Sequence, residues 1–290
     1  MIFFLKLLIL KVLAFLFFDT EGFAFYFISM RLKNRPTFMI QALLGALFLM
    51  SLYGCASSGK KQLTTEEKVK LLVDIGNSSL IDGDPTGALE SLKQAEAIDD
   101  SLPELSHSLA LTFYLKRDLK TALHYAQKAV QKKSNFSNAN TTLGKIYLEL
   151  GMLDQARDPL SQAAQDPLNR EAYKAWTSLG VLEERKGNLE AADSMYSQAI
   201  QSDGLNSCLA YFYRGNIRVQ KKQISDAIRD YTLASQKFCA KFGDAFLALG
   251  QAYQQSRQYD LARKTYLEVV QRYPDSPLAN KAIEQLRFLP

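Results

Sequence analysis

The chain has 290 residues, 47% apolar and 22% charged, with 35 basic and 30 acidic side chains for a formal charge of +5. That balance is too apolar and too weakly charged for a disordered chain, and no sustained basic stripe with interleaved aromatics is present for nucleic acid. Two histidines and three cysteines leave few ligands for a metal and few of the usual catalytic bases.

The first elements in chain order differ in composition from everything that follows. Ile2 to Phe18 is nearly all apolar, broken by Lys6 and Lys11, and is short for the roughly 20 residues of a membrane-spanning helix. A second apolar run, Phe38 to Tyr53, follows Arg31, Lys33 and Arg35. A basic start, a short apolar stretch and a small-residue end make a secretory signal. Read from Met30 it has ordinary length, so residues 1–29 are an over-extended start or, if translation begins at Met1, an extra hydrophobic segment. The signal occupies 30–54. Its end, Leu52-Tyr53-Gly54-Cys55, resembles the bacterial lipobox, although Tyr53 stands where a small residue is usual. The resemblance implies that Cys55 is lipidated and becomes the mature N-terminus. Ala56, Ser57 and Ser58 carry no aspartate to retain the protein at the inner membrane, which implies the periplasmic face of the outer membrane. Residues 55–66 then form a lipidated tether. Gly54-x-x-x-x-Gly59-Lys60 imitates a phosphate-binding loop, but Lys61 replaces the required Ser or Thr and no strand precedes it.

From residue 67 onward a period governs the chain. Gly76, Ala110, Gly144, Gly180, Gly215 and Gly250 recur at steps of 34 to 36, and an alanine follows each by twelve residues: Ala88, Ala122, Ala156, Ala192, Ala227 and Ala262. Larger residues return at position 24 of five units (Leu92, Leu160, Tyr196, Tyr231, Tyr266), with Ala126 departing in the second, and position 7 is Ile75, Leu109, Leu143, Leu179 and Leu249, with Arg214 departing. Apolar recurrence at three and four residues marks helix. Gly83, Gly151 and Gly187 fall where the first helix of a unit ends, and Pro103, Pro167 and Pro274 near the junctions between units. The units are placed at 69–102, 103–136, 137–170, 173–206, 208–241 and 243–276, with Leu278, Ala282, Ile283 and Leu286 marking a capping helix. The pattern is similar to the tetratricopeptide family, most fully in the fourth unit through Trp176, Leu179, Gly180, Gly187, Ala192, Tyr196 and Ala199. The resemblance implies an all-α fold for 67–290: a tetratricopeptide-repeat right-handed superhelix of about six helix-turn-helix units plus a C-terminal capping helix.

Candidate chemistry is sparse. No GxSxG elbow, HExxH helix or GxGxxG loop occurs, no spacing suits a metal, and neither a cofactor nor a small-molecule substrate is expected, so the chain reads as a non-enzyme. Glu183 with Glu184 and Asp99 with Asp100 read as solvated pairs. His107 reads as a groove residue or as a plain surface histidine. Cys208 and Cys239 stand at positions 1 and 32 of one unit, where antiparallel helices bring their ends together, so they are either a disulfide or two partly buried thiols. Taking positions 2, 5, 9, 12 and 13 as concave, the early units present an apolar groove: Val73, Leu111, Tyr114, Leu115 and Leu148, joined later by Phe212. Such a groove fits an amphipathic helix or extended segment of a protein partner, or else a leading segment such as Glu66 to Leu72 of the chain itself. Lys70 and Asn77 hint at a clamp for a partner's C-terminal carboxylate, which Val73 and Leu111 interrupt.

A lipobox followed by six such units resembles the type IV pilus biogenesis lipoproteins, the pilotins of the pilus secretin. The likeness is sharpest over Ala163-Ala164-Gln165-Asp166-Pro167-Leu168-Asn169-Arg170 and on to Leu179-Gly180, where the step between units is longest. It implies a protein that binds secretin subunits and promotes their assembly into a ring. The alternative is a lipoprotein adaptor for peptidoglycan hydrolases or other envelope assembly machinery. The repeat register itself predicts that Ala192→Leu overpacks a helix crossing and costs about 1–3 kcal/mol, and an unchanged melting temperature would contradict the register.

Overall fold

The computed structural model describes residues 63–290. Both hydrophobic segments and residues 55–62 of the tether, Cys55 among them, lie outside the described residues. Thirteen α-helices fill the described chain: α1 (Thr65–Ile81), α2 (Pro85–Ile98), α3 (Pro103–Leu115), α4 (Leu119–Lys132), α5 (Ser137–Glu149), α6 (Leu153–Gln165), α7 (Ala172–Arg185), α8 (Leu189–Ser202), α9 (Cys208–Gln220), α10 (Ile224–Ala234), α11 (Gly243–Gln255), α12 (Tyr259–Arg272) and α13 (Pro277–Arg287). Odd-numbered helices α1 to α11 are the first helices of six hairpins, even-numbered ones the second, and α13 caps the last. The first helix begins earlier than the expected unit start at 69. Thr64 and Glu67 close a reciprocal cap, with Thr64 N–H donating to Glu67 Oε2 at 2.8 Å and Glu67 N–H to Thr64 Oγ1 at 3.2 Å, which satisfies amides that a helix start leaves unpaired. Glu66 to Leu72 is therefore part of α1 and not a separate segment that could fill the groove.

All six hairpin turns share one geometry. A residue with positive φ ends the first helix: Gly83, Gly151 and Gly187, but also Arg117, Lys222 and Arg257, with φ between 59° and 82°. The next amide then reaches back five residues, as in Asp84 N–H to Ser79 O (2.8 Å), Asn188 N–H to Glu183 O (2.9 Å) and Gln223 N–H to Arg218 O (2.8 Å). This satisfies a carbonyl orphaned at the helix end. The non-glycine turns were invisible to a search for glycine, because the closing hydrogen bonds and helix packing impose the conformation.

Inside each hairpin, position 8 faces position 24 of the same unit and not the neighbouring unit. A β-carbon added at Gly144 would lie 2.3 Å from Leu160 Cγ, at Gly180 2.3 Å from Tyr196 Cε1, and at Gly250 2.5 Å from Tyr266 Cε1. These side chains lie flat against bare backbone, and Leu160, Tyr196 and Tyr266 are fully buried. Unit two, where Ala110 replaces the glycine, has Ala126 opposite, and both are fully buried. The extra methyl on one helix is matched by a shorter side chain on the other. The alanines of position 20 are fully buried in all six units.

Arg214 enters a layer that is otherwise Leu or Ile and brings its own partner. Its Nε and Nη2 donate to the two oxygens of Asp230 at 2.9 and 2.7 Å, Nη1 donates to Ser197 Oγ at 3.0 Å, and Arg218 approaches the same carboxylate at 2.7 Å. Asp230 is buried, so its charge is tolerated only through this bidentate geometry. Glu183, read as solvated, is also buried: it pairs with Arg157 and accepts from Asn188 Nδ2 at 3.0 Å. Its neighbour Glu184 accepts from the Tyr196 hydroxyl at 2.8 Å.

The fit between positions 8 and 24 predicts non-additive mutations. Gly144→Ala should cost about 1–3 kcal/mol by overpacking and Leu160→Ala about 2–5 kcal/mol by leaving a cavity. The double variant should lose at least about 1 kcal/mol less than their sum, as measured by denaturant unfolding.

Candidate functional site

The first helices of successive hairpins touch one another directly, α1 with α3, α3 with α5, α5 with α7 and α7 with α9, whereas none of the main helix contacts joins two second helices. The first helices thus line the inner face and the second helices splay outward. Position 5 falls between successive first helices. Val73 is for that reason a core residue, 3% exposed and clustered with Leu92, Leu105 and Leu109, and not a groove residue. His107 obeys the same rule: its Nε2 is 3.0 Å from Thr142 Oγ1, its ring meets Phe136 edge-on, and burial pushes its pKa down to about 4. It is a neutral packing residue between two helices.

Positions 9, 12 and 13 do face inward. A cleft of about 340 Å³ opens between α3, α5, α7 and α9, with Tyr114, Leu148, Tyr173, Val181 and Tyr213 as its apolar and aromatic walls. Tyr114 and Leu148 were expected there. Leu111 is half-buried and Leu115 is 51% exposed at the end of α3, and neither lines the cleft. Phe212 belongs to a second depression, of about 520 Å³, with Asn216, Val219, Leu247 and Gln251, and packs edge-on against Phe242 at 5.1 Å. The clamp hinted at by Lys70 and Asn77 is not assembled, since Lys70 pairs with Glu66 at 2.6 Å and Asn77 Oδ1 accepts from Ser108 Oγ at 2.6 Å.

The cleft is also charged, which the search for apolar groove positions missed. Lys145, Lys174 and Arg185 line it against a single acid, Glu149. Lys174 is paired with Glu171, and Arg185 donates to the Leu148 carbonyl. Lys145 sits at position 9 of its unit, so the concave periodicity could have found it. Lys145 is solvent-exposed, and partial desolvation of its ammonium together with the charge of Lys174 holds its pKa below the usual lysine range. Burial raises the pKa of Tyr114 and Tyr213, which keeps both phenols protonated as donors.

One rim of the cleft is covalently fixed. Cys208, the first residue of α9, lines it, and is joined to Cys239 with Cα atoms 5.5 Å apart. The bridge replaces the end of a helix: α10 stops at Ala234, and Cys239 follows in a short 3₁₀ turn, Lys237–Cys239. Among the described residues, no group of three or more His, Cys, Asp or Glu side chains is suited to a metal, and no helix is long and apolar enough to cross a membrane.

Hairpins of this length, stacked with their first helices inward, define an all-α tetratricopeptide-repeat superhelix. Comparisons with known proteins agree. Residues 141–206 and 244–276 match models of the tetratricopeptide repeat. PilF of Pseudomonas aeruginosa superposes with a TM-score of 0.63 at 18% identity over 76% of this chain and 99% of its own. The crystal structure of PilW, a widely conserved type IV pilus biogenesis factor, gives a TM-score of 0.64 at 13% identity over 74% and 98%. A chain of the Cut9–Hcn1 assembly of the APC/C gives 0.65 at 14% over 83% and 46%. The BBSome complex member BBS4 of Bos taurus is 25% identical over 232 residues, 65% of this chain, which spans only 44% of that protein's length.

Opening the disulfide should loosen the fifth unit. Closing a loop of this length contributes about 3–4 kcal/mol in the chain-entropy model, so Cys208→Ser should lower the denaturant midpoint accordingly, and a reductant should move the unsubstituted protein to the same midpoint. An unaffected midpoint would show that the bridge does not form in solution.

Proposed function

We propose that this chain is a lipid-anchored scaffold at the periplasmic face of the outer membrane that binds secretin subunits and aids assembly of the type IV pilus secretin. The observation that carries the reading is the extent of the structural match. Six hairpins and a cap correspond to nearly the whole of PilF and PilW, 99% and 98% of those chains, one of them a pilus biogenesis factor, while less than half of the Cut9–Hcn1 chain or of BBS4 is covered. The lipobox-like end at Cys55 supports the anchor, and the Cys208–Cys239 bridge suits an oxidising compartment. An aromatic-walled concave cleft and a second depression of mixed polarity around Phe212 and Leu247 offer surface for a protein partner.

Deletion of the gene in its own organism should abolish twitching motility and assembled secretin rings in membrane extracts while cell shape stays normal. Restoring the gene with Cys55→Ser should leave the protein unacylated by mass spectrometry and rescue ring assembly poorly. Normal pili with an altered envelope would overturn the pilus reading and favour an adaptor for peptidoglycan hydrolases.

A further inference from the structure

We infer that the cleft between α3, α5, α7 and α9 takes an acidic residue of the partner, an aspartate or glutamate flanked by apolar side chains, with Lys145 as its counter-ion. The inference rests on the reading of the concave face as the partner-binding surface and adds the chemistry of what that surface selects. Three cations against one acid give the lining an excess of positive charge. Lys174 is already paired with Glu171, and Arg185 donates one N–H to the Leu148 carbonyl while making no ion pair among the described residues, so its charge adds to that of Lys145. Lys145 has neither a salt bridge nor a hydrogen bond among the described residues, and Glu149, four residues along the same helix, makes no ion pair with it.

The remaining donors point to the same group. The hydroxyls of Tyr114, Tyr173 and Tyr213 make no hydrogen bond among the described residues, and as protonated phenols the first and last are donors. One free ammonium and several phenolic hydroxyls around apolar Leu148 and Val181 match a single carboxylate carried on an apolar segment. The N-terminus of α9 borders the cleft as well, through Ser207, Cys208 and Leu209 with no side-chain cap on the helix, which adds to its preference for an anionic group. Charge complementarity of this kind governs which partner docks and how fast more than it governs total affinity.

The test is selection of a random twelve-residue peptide display library on the full chain, immobilised through its C-terminus, in parallel with Lys145→Glu and Val181→Arg variants whose folding is checked by thermal melting. Recovered peptides are expected to carry an acidic residue between apolar ones and to bind Lys145→Glu on the order of tenfold more weakly, and the Lys145→Glu variant is expected to recover basic peptides instead. Peptides blocked by Val181→Arg but free of acidic residues, or indifferent to Lys145→Glu, would overturn the charge inference and leave the concave face as the binding surface. Peptides indifferent to both variants, or no recovered peptide at all, would overturn the concave-face reading as well.

Discussion

The structure depends on how closely two helices of one hairpin approach. Leu92, Leu160, Tyr196, Tyr231 and Tyr266 lie on the bare backbone of Gly76, Gly144, Gly180, Gly215 and Gly250, at separations where a β-carbon would collide. Large flat side chains and absent ones are therefore two halves of one contact. In three units the arrangement also brings a tyrosine ring beneath the first helix, and its hydroxyl finds an acceptor on that helix: Glu184 for Tyr196, Asn216 for Tyr231 and Gln254 for Tyr266. Each hairpin thus has its own internal fit, and a stack of such units, each contacting only its neighbours, has nearest-neighbour energetics.

From that stack the site follows. The main contacts between neighbouring hairpins join a first helix to the next first helix or a second helix to the next first helix, so first-helix residues dominate the inner face. The cleft therefore draws on four separate hairpins, α3 through α9, and no single unit could form it. Its shape is as stable as the interfaces between units, and two features reinforce the array at its far side: the Arg214–Asp230–Arg218 cluster and the Cys208–Cys239 bridge, both in the fifth unit. A buried carboxylate held by two guanidiniums contributes little net stability but penalises other packings in which it would lose a partner.

Fold and function are separable here. The same superhelix occurs in a pilus factor and in an APC/C assembly at comparable TM-scores, which is expected of a fold whose core positions are fixed by helix contact and whose concave positions are free to vary. What distinguishes one such protein from another is the set of side chains on the inner face. In this chain that face carries a lysine without a partner among tyrosines, a chemistry that the repeat pattern neither requires nor forbids.

The sequence by itself determined the number of hairpins, their boundaries to within a few residues, the capping helix and the recurring core positions 8, 20 and 24. These depend on local spacing and on small residues that must recur wherever helices cross. It also made Tyr114 and Leu148 legible as inward-facing, since the period assigns them to the concave side. Tertiary structure decided the rest. Val73 went to the core because its position lies between successive first helices. Arg117, Lys222 and Arg257 took a left-handed turn that their residue types do not announce, because the closing hydrogen bonds of the hairpin imposed it. Glu183 was drawn inside by Arg157 from another hairpin, and Lys145 was left without an ion pair among the described residues although Glu149 lies four residues along its own helix. Pairing of charges across hairpins depends on distances between residues far apart in the chain, and those distances exist only once the units have stacked.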